Sequence, residues 1–238
     1  MHVIFRSIGL WALALAGLSG LALLVSGPGY RLGVLSLPAA FAVLRWGAYG
    51  GLIAAALAGV ALWRARGRSP LGVAALVLAL IVLAVPLRLQ RLAASAPPIH
   101  DITTDTANPP VFDAVVPLRA GARNPLDYSQ EVARQQREHY PDITPLILEL
   151  PAAHVFEQAL QAARDSGWEI VAANADAGRI EATATTRFFG FKDDVVVRLT
   201  ALGERTVVDV RSVSRLGRGD LGTNARRIRD YLARLSRS

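Results

Sequence analysis

Three long apolar runs open the chain, and after about residue 145 short alternations of apolar and polar positions take over. Positions 8–25 carry no charge and are bracketed by Arg6 and Arg31. Positions 41–63 and 71–87 are the second and third runs, the last ended by Arg88 and Arg91. A helix needs about 20 apolar residues to cross a bilayer core, so 1–92 reads as a membrane region with about three transmembrane helices. Arg45 marks the end of the second: at mid-bilayer an arginine costs roughly 2.5–3.5 kcal/mol, whereas near the headgroups it can snorkel. The first run also has the form of a signal peptide, but no A-x-A site follows it, which favours a retained helix. Tyr30, Trp46, Tyr49 and Trp63 suit an interfacial belt, and Gly47, Gly50, Gly51, Ala54 and Ala58 suit close helix contact.

Eight prolines between 97 and 145 exclude long helices there, so 93–145 is expected to run extended, apart from one short polar helix over 128–140. From 146 to 238 the periodicities describe a globular core. Positions 146–150 read as a strand, and 152–166 as a helix with Phe156, Ala159, Leu160 and Ala163 on one face, stopped by Gly167. Strands follow over 168–173, 179–189, 191–200 and 205–214, the last three forming an antiparallel meander with Val195, Val197, Leu199, Val208 and Val210 turned inward. A helix over about 220–235 closes the chain, with Leu221, Ala225, Ile228, Leu232 and Leu235 as its stripe. The fold class is α+β: N-terminal transmembrane helices, then a two-layer domain of antiparallel sheet with helices on one face. The other sheet face carries Glu181, Arg187, Asp194, Arg198, Asp209 and Arg211, which reads as a solvated ladder of opposite charges.

Charge sharpens the division. The chain carries +7 overall, with 26 Lys+Arg against 19 Asp+Glu, yet the first hundred residues hold eight arginines and no acid. A basic, apolar half joined to a nearly neutral one points to a lipid bilayer as partner and away from nucleic acid. The loop holding Arg64, Arg66 and Arg68 is the densest positive cluster near any span. It is therefore placed in the cytoplasm, which puts the C-terminal domain on the outer, periplasmic side of the inner membrane. The chain has no cysteine, which excludes disulfides, Cys-ligated metals and thiol catalysis.

Several longer motifs carry a family resemblance. They include Ile99-His100-Asp101-Ile102-Thr103-Thr104-Asp105, Pro109-Pro110-Val111-Phe112, Tyr140-Pro141-Asp142-Ile143, Gly178-Arg179-Ile180-Glu181-Ala182-Thr183 and Phe189-Gly190-Phe191-Lys192-Asp193-Asp194. With Gly167-Trp168, Arg211-Ser212-Val213-Ser214-Arg215 and the stretch from Asp220-Leu221-Gly222 to Ala225, they span residues 99–235. This region resembles the domain of unknown function 1499 family. The resemblance implies a bacterial envelope or chloroplast protein, often with membrane spans ahead of the domain, and it supplies no activity and no catalytic residue.

The residues themselves offer few reactive sets. Gly217-Arg218-Gly219-Asp220-Leu221-Gly222 matches the dinucleotide fingerprint G-x-G-x-x-G, but only sixteen residues remain, too few for the returning strand and acidic residue. Asp220 there is better read as a helix cap. Asp193 and Asp194 are consecutive in a strand and point to opposite faces, so they form no dyad. Asp193 should turn inward and take Arg187 or Arg215 as its partner. His2, His100, His139 and His154 show no metal-ligand spacing, so neither metal nor cofactor is expected. The candidate ligand or partner site is Arg187, Asp193, Asp194, Arg211, Ser214, Arg215, Asp220 and Asn224. The leading expectation is a non-catalytic binding or scaffolding domain that recognises an envelope protein or an anionic lipid or cell-wall ligand. The alternative is an envelope hydrolase acting on lipid or cell-wall material through Asp193, Arg215, Ser214 and Asn224.

Overall fold

The computed structural model describes residues 2–237, which form two compact units. The first holds the helices up to Arg91 together with the short turn Arg187–Gly190, and the second holds the remainder. Three helices make up the first: α1 (His2–Arg31), α2 (Leu37–Arg64) and α3 (Pro70–Ser95). Each is long and apolar enough to cross a membrane, with mean hydropathies of 2.2, 1.5 and 2.7. Ser36 starts α2 by accepting the Ala39 N–H, and a proline follows in the first turn, where its missing donor is harmless. The helices meet through alanine layers, Ala12 with Ala58 and Ala75, and Ala16 with Ala54 and Ala79. A Cβ on Gly47 or Gly50 would strike Leu23 or Ser19 of α1, so glycine is what permits this approach. Trp11, Leu18, Leu24, Leu52, Ile53 and Ile81 are left exposed on the outside. α2 begins eight residues before Arg45, whose side chain is exposed. α3 runs through Arg88 and Arg91, because alanine, leucine and arginine sustain a helix beyond the apolar run.

The second unit is one antiparallel sheet with helices. Its elements are β1 (Asp101–Thr103), a 3-10 turn (Val116–Arg119), α4 (Gln130–His139), β2 (Leu146–Leu148), α5 (Ala152–Asp165), β3 (Glu169–Asn174), β4 (Arg179–Thr185), β5 (Lys192–Leu202), β6 (Arg205–Ser214) and α6 (Thr223–Leu235). Strands β3 to β6 form a four-stranded meander, and β1 and β2 both pair with β6, at opposite ends of it. The expected three-strand meander thus gains β3 as a fourth strand. The exposed edge of β1 is closed by a side chain: Gln136 of α4 accepts from the Thr103 N–H at 2.9 Å and donates to the Thr103 carbonyl at 2.6 Å, as a neighbouring strand would.

One face of the sheet packs on α5 and α6. Ile180, Ala182, Ala184, Val195, Val197, Leu199, Val208 and Val210 meet Val155, Phe156, Ala159 and Ala163 of α5 and Ala225, Ile228 and Leu235 of α6. Leu232 is half-buried, and the apolar stripe of α6 also includes the fully buried Tyr231, whose ring stacks on Trp168 at 4.8 Å and whose hydroxyl donates to the Ala159 carbonyl at 2.9 Å. A buried tyrosine needs such an acceptor.

The opposite face is covered. The Pro-rich chain from Asp105 to Tyr128 lies across it, and Phe112 and Val115 pack on Val196 and Val213 as a second small core. The expected solvated ladder is therefore a buried one: Glu181, Asp194, Asp209 and Arg211 are each no more than 4% exposed. Apart from its 3-10 turn the strap forms no helix or strand, so many of its carbonyls and N–H groups need other partners. The charged side chains of the sheet take them up.

Candidate functional site

Side chains alternate along a strand, so Asp193 and Asp194 begin two separate networks on opposite faces of β5. On the helix side, Asp193 pairs with Arg227 of α6 at 2.5 Å, and neither Arg187 nor Arg215 reaches it. Asp193 sits opposite Ser214 in the β5–β6 register. Asn224 ties the region together: its amide donates to the Ser214 Oγ and the His100 carbonyl, both at 2.9 Å, and its oxygen accepts from Ser212 at 2.7 Å and from Arg227. Asp220 accepts the Asn224 N–H at 2.6 Å and the Gly222 N–H at 2.9 Å, which holds the left-handed Gly222 at the start of α6. Burial pushes the Asp220 carboxyl above its ordinary range, against the pull of those two backbone donors. The sequence motif that imitates a nucleotide loop is thus a helix entrance closed by its own aspartate.

On the strap side, Asp194 is fully buried and lies between two arginines. Arg119 comes from the 3-10 turn of the strap, and Arg215 approaches at 2.7 Å from the end of β6. The Thr183 hydroxyl adds a bond at 3.1 Å. Arg119 and Arg215 then donate to the Asn124 and Leu118 carbonyls, so both also grip the strap. Arg211 forms a two-point pair with Asp101 of β1, at 3.0 and 2.7 Å, and donates to the carbonyls of Pro110 and Leu126. Its guanidinium stands over the rings of Phe112 and Tyr128, 5.2 and 5.4 Å from their centroids. Burial pushes the Asp101 carboxyl upward, and Arg211 draws it back. The Glu181 carboxylate, in the middle of the sheet, accepts the backbone N–H groups of Asp113 and Val115 at 3.0 to 3.1 Å.

Of the eight candidate residues, Asp193, Ser214, Asn224 and Asp220 come together on the helix side, and Asp194, Arg211 and Arg215 on the strap side. Arg187 joins neither and is exposed. Arg215 therefore lies across the sheet from Asp193, Ser214 and Asn224. Among the described residues, no group of three or more His, Asp or Glu side chains is placed to hold a metal ion. Sequence reasoning passed over Arg119, Arg227 and Glu181 as partners. Arg119 and Arg227 carry no local signal, since an arginine in a loop and one on a basic helix look alike until the chain folds. Glu181 did have one, as a carboxylate alternating with apolar residues in a strand.

The strap's role can be tested at Glu181. In Glu181→Ala the two strap N–H groups lose their acceptor, and each unsatisfied group costs about 1–3 kcal/mol. Hydrogen exchange on the full-length protein in micelles should show the amides of 113–119 exchanging at least several-fold faster, with β5 and β6 still protected. Uniform acceleration across the sheet would make Glu181 a global determinant of stability and not a strap anchor.

One part of the strap face stays open. Pro110, Val111, Ala177 and Val196 line a cleft of about 300 Å³ flanked by Arg179 and Arg198, which are directly opposite each other on β4 and β5. Like charges in that position repel. Asp113 and Glu181 hold Arg179, and Asp105 and Asp209 hold Arg198, at 2.8 to 3.4 Å. In those pairs Arg198 uses its Nη2.

An antiparallel sheet backed by two helices, strapped on its far face and preceded by three apolar helices, defines a membrane-helix protein with an α+β domain. Residues 101–235, more than half of the chain, match the family described as Protein of unknown function (DUF1499), and the chain belongs to that family. No curated protein matches it.

Proposed function

We propose that the protein is a non-catalytic binding module, anchored in the cytoplasmic membrane of a bacterium with its C-terminal domain on the outer side. Its ligand is an anionic envelope component with an apolar body. The observation that carries this reading is the cleft at Arg179 and Arg198, where the charged face remains open while its other charges are occupied by the strap and by one another. Two guanidiniums at the edge of an apolar floor suit a carboxylate or phosphate attached to a hydrocarbon or peptide segment. Four carboxylates already hold the pair, so recognition rests on directed donors and apolar contact rather than on net positive charge. The positive loop of Arg64, Arg66 and Arg68 supports a cytoplasmic connection between α2 and α3, and α3 then delivers the domain to the other side.

Val111 allows a test that spares the fold, because its side chain is 71% exposed. Native mass spectrometry of the full-length protein released from micelles should show a co-purified mass in the wild type and its loss in Val111→Glu. An equal adduct in both proteins would remove the cleft from the reading. A clean spectrum in both would turn attention to a protein partner and to crosslinking in the native membrane.

A further inference from the structure

The β4–β5 turn has a composition that a hairpin tip in water does not need. It runs Arg187-Phe188-Phe189-Gly190-Phe191-Lys192, three phenylalanines in four positions between two basic residues. Turns are ordinarily built from Gly, Asn, Asp, Ser and Pro. Here Gly190 supplies the positive φ, and aromatic rings fill the rest. Phe188 is 42% exposed, and Arg187 and Lys192 are exposed on either side of it.

Residues 187–190 belong to the helix unit. Within that unit the Phe189 ring lies 5.4 Å from that of Phe41 and 6.4 Å from that of Tyr30, and the Arg31 guanidinium donates to the Arg187 carbonyl at 2.9 Å. Tyr30 and Arg31 end α1, and Phe41 lies in the second turn of α2. These are the two helix ends joined by the short connection 32–36, and helix ends carrying aromatic and basic residues mark the headgroup level. Chain topology agrees independently. With three spans, the C-terminal ends of α1 and α3 emerge on the same side, so any segment after α3 shares a side with Tyr30 and Arg31.

We infer that the 187–192 tip is a lipid-anchoring element. Phe188 enters the boundary between headgroups and acyl chains of the bilayer that the helices cross, and Arg187 and Lys192 lie at the phosphates. Aromatic rings favour that depth, and each basic residue near an anionic surface adds attraction. This inference rests on the membrane-spanning reading of α1 to α3.

The absence of cysteine makes single-site spin labelling clean. Three variants of the full-length protein, Phe188→Cys, Leu18→Cys and Leu202→Cys, are labelled in vesicles of phosphatidylethanolamine and phosphatidylglycerol. Accessibility to oxygen is compared with accessibility to a water-soluble nickel chelate. Leu18, exposed midway along α1, reports the hydrocarbon core, and Leu202, exposed at the far end of β5, reports water. The expected result is an oxygen-to-nickel ratio at 188 several-fold above that at 202 and below that at 18. A ratio at 188 equal to that at 202 overturns the anchor while leaving the spans intact. Shielding of 188 from both reagents overturns it in favour of protein contact. A water-accessible Leu18 overturns the spanning reading and the anchor with it.

Discussion

Alanine at Asp194 is expected to destabilise the second unit by about 3–5 kcal/mol, the usual consequence of removing one partner from a buried ion pair. The effect should reach the upper part of that range because two cations depend on this one carboxylate. Arg119 and Arg215 are 7% and 14% exposed at the side chain, and among the described residues Asp194 is the acid with which both form ion pairs. Without it, the hydrogen bonds left to the two guanidiniums are those to the Asn124 and Leu118 carbonyls and the Thr183 hydroxyl. Asp194→Asn keeps the shape and should recover little, since an amide supplies no charge. Combining Asp194→Leu with Arg119→Leu and Arg215→Leu should recover much of the loss, because the uncompensated charges go together. Urea unfolding of the full-length protein in micelles, followed by hydrogen exchange in β5 and β6, checks the series. A loss below about 1 kcal/mol for Asp194→Ala, the scale of a solvent-exposed pair, would show that the site is open to water.

Arg211→Ala should cost a similar amount, about 3–5 kcal/mol, with a different signature. Arg211 neutralises Asp101, satisfies two strap carbonyls and fills the space between Phe112 and Tyr128. Arg211→Lys should rescue only a fraction, because an ammonium cannot make the two-point pair or lie flat between two rings. The alanine variant should also show a steeper pH dependence than the wild type. With its partner gone, burial drives the Asp101 carboxyl further up from its already raised position, opposed by His100 and Arg119. The folded protein then binds a proton more readily than the unfolded chain. Stability is highest below the ordinary aspartate range near 4 and falls as pH rises through the raised value. The deficit relative to wild type should therefore be smaller in acid than at neutral pH, and a pH-independent deficit would argue that packing dominates.

These two positions show what could be read from the sequence. The period-two alternation from Ile180 to Val210 gave the inner face of the sheet and the inward turn of Asp193, because that pattern is local. The 4, 3, 4, 3 spacing of Leu221, Ala225, Ile228, Leu232 and Leu235 gave α6 for the same reason, except that Leu221 takes a positive φ and precedes the helix, which starts at Thr223. The strap was different. A Pro-rich polar segment has no periodicity, so its extended conformation could be read but not its destination. Glu181, Asp194, Asp209 and Arg211 then looked like a wet charged surface, since opposite charges alternating in neighbouring strands look the same in water and under a cover. Arg119 could not have been assigned to Asp194 by any spacing rule, since 75 residues separate them. Arg227 was visible only as one arginine among several on α6.

The strap also fixes the order in which this domain can be completed. Asp101 contacts Arg211 across 110 residues, and the Leu118 carbonyl accepts from Arg215 across 97, so the first part of the domain to be synthesised is among the last to find its place. Contacts of such range must overcome the entropy of closing a long loop before they contribute anything. Until β6 is made, residues 101–128 have no β6 edge to join and lack Arg211 and Arg215, which hold the carbonyls of Pro110, Leu126 and Leu118. A chain ending before Arg205 would therefore not be a shortened version of the domain: Glu181, Asp194 and Val196 could still touch the strap, but β1 would have no partner strand and Asp101 no arginine.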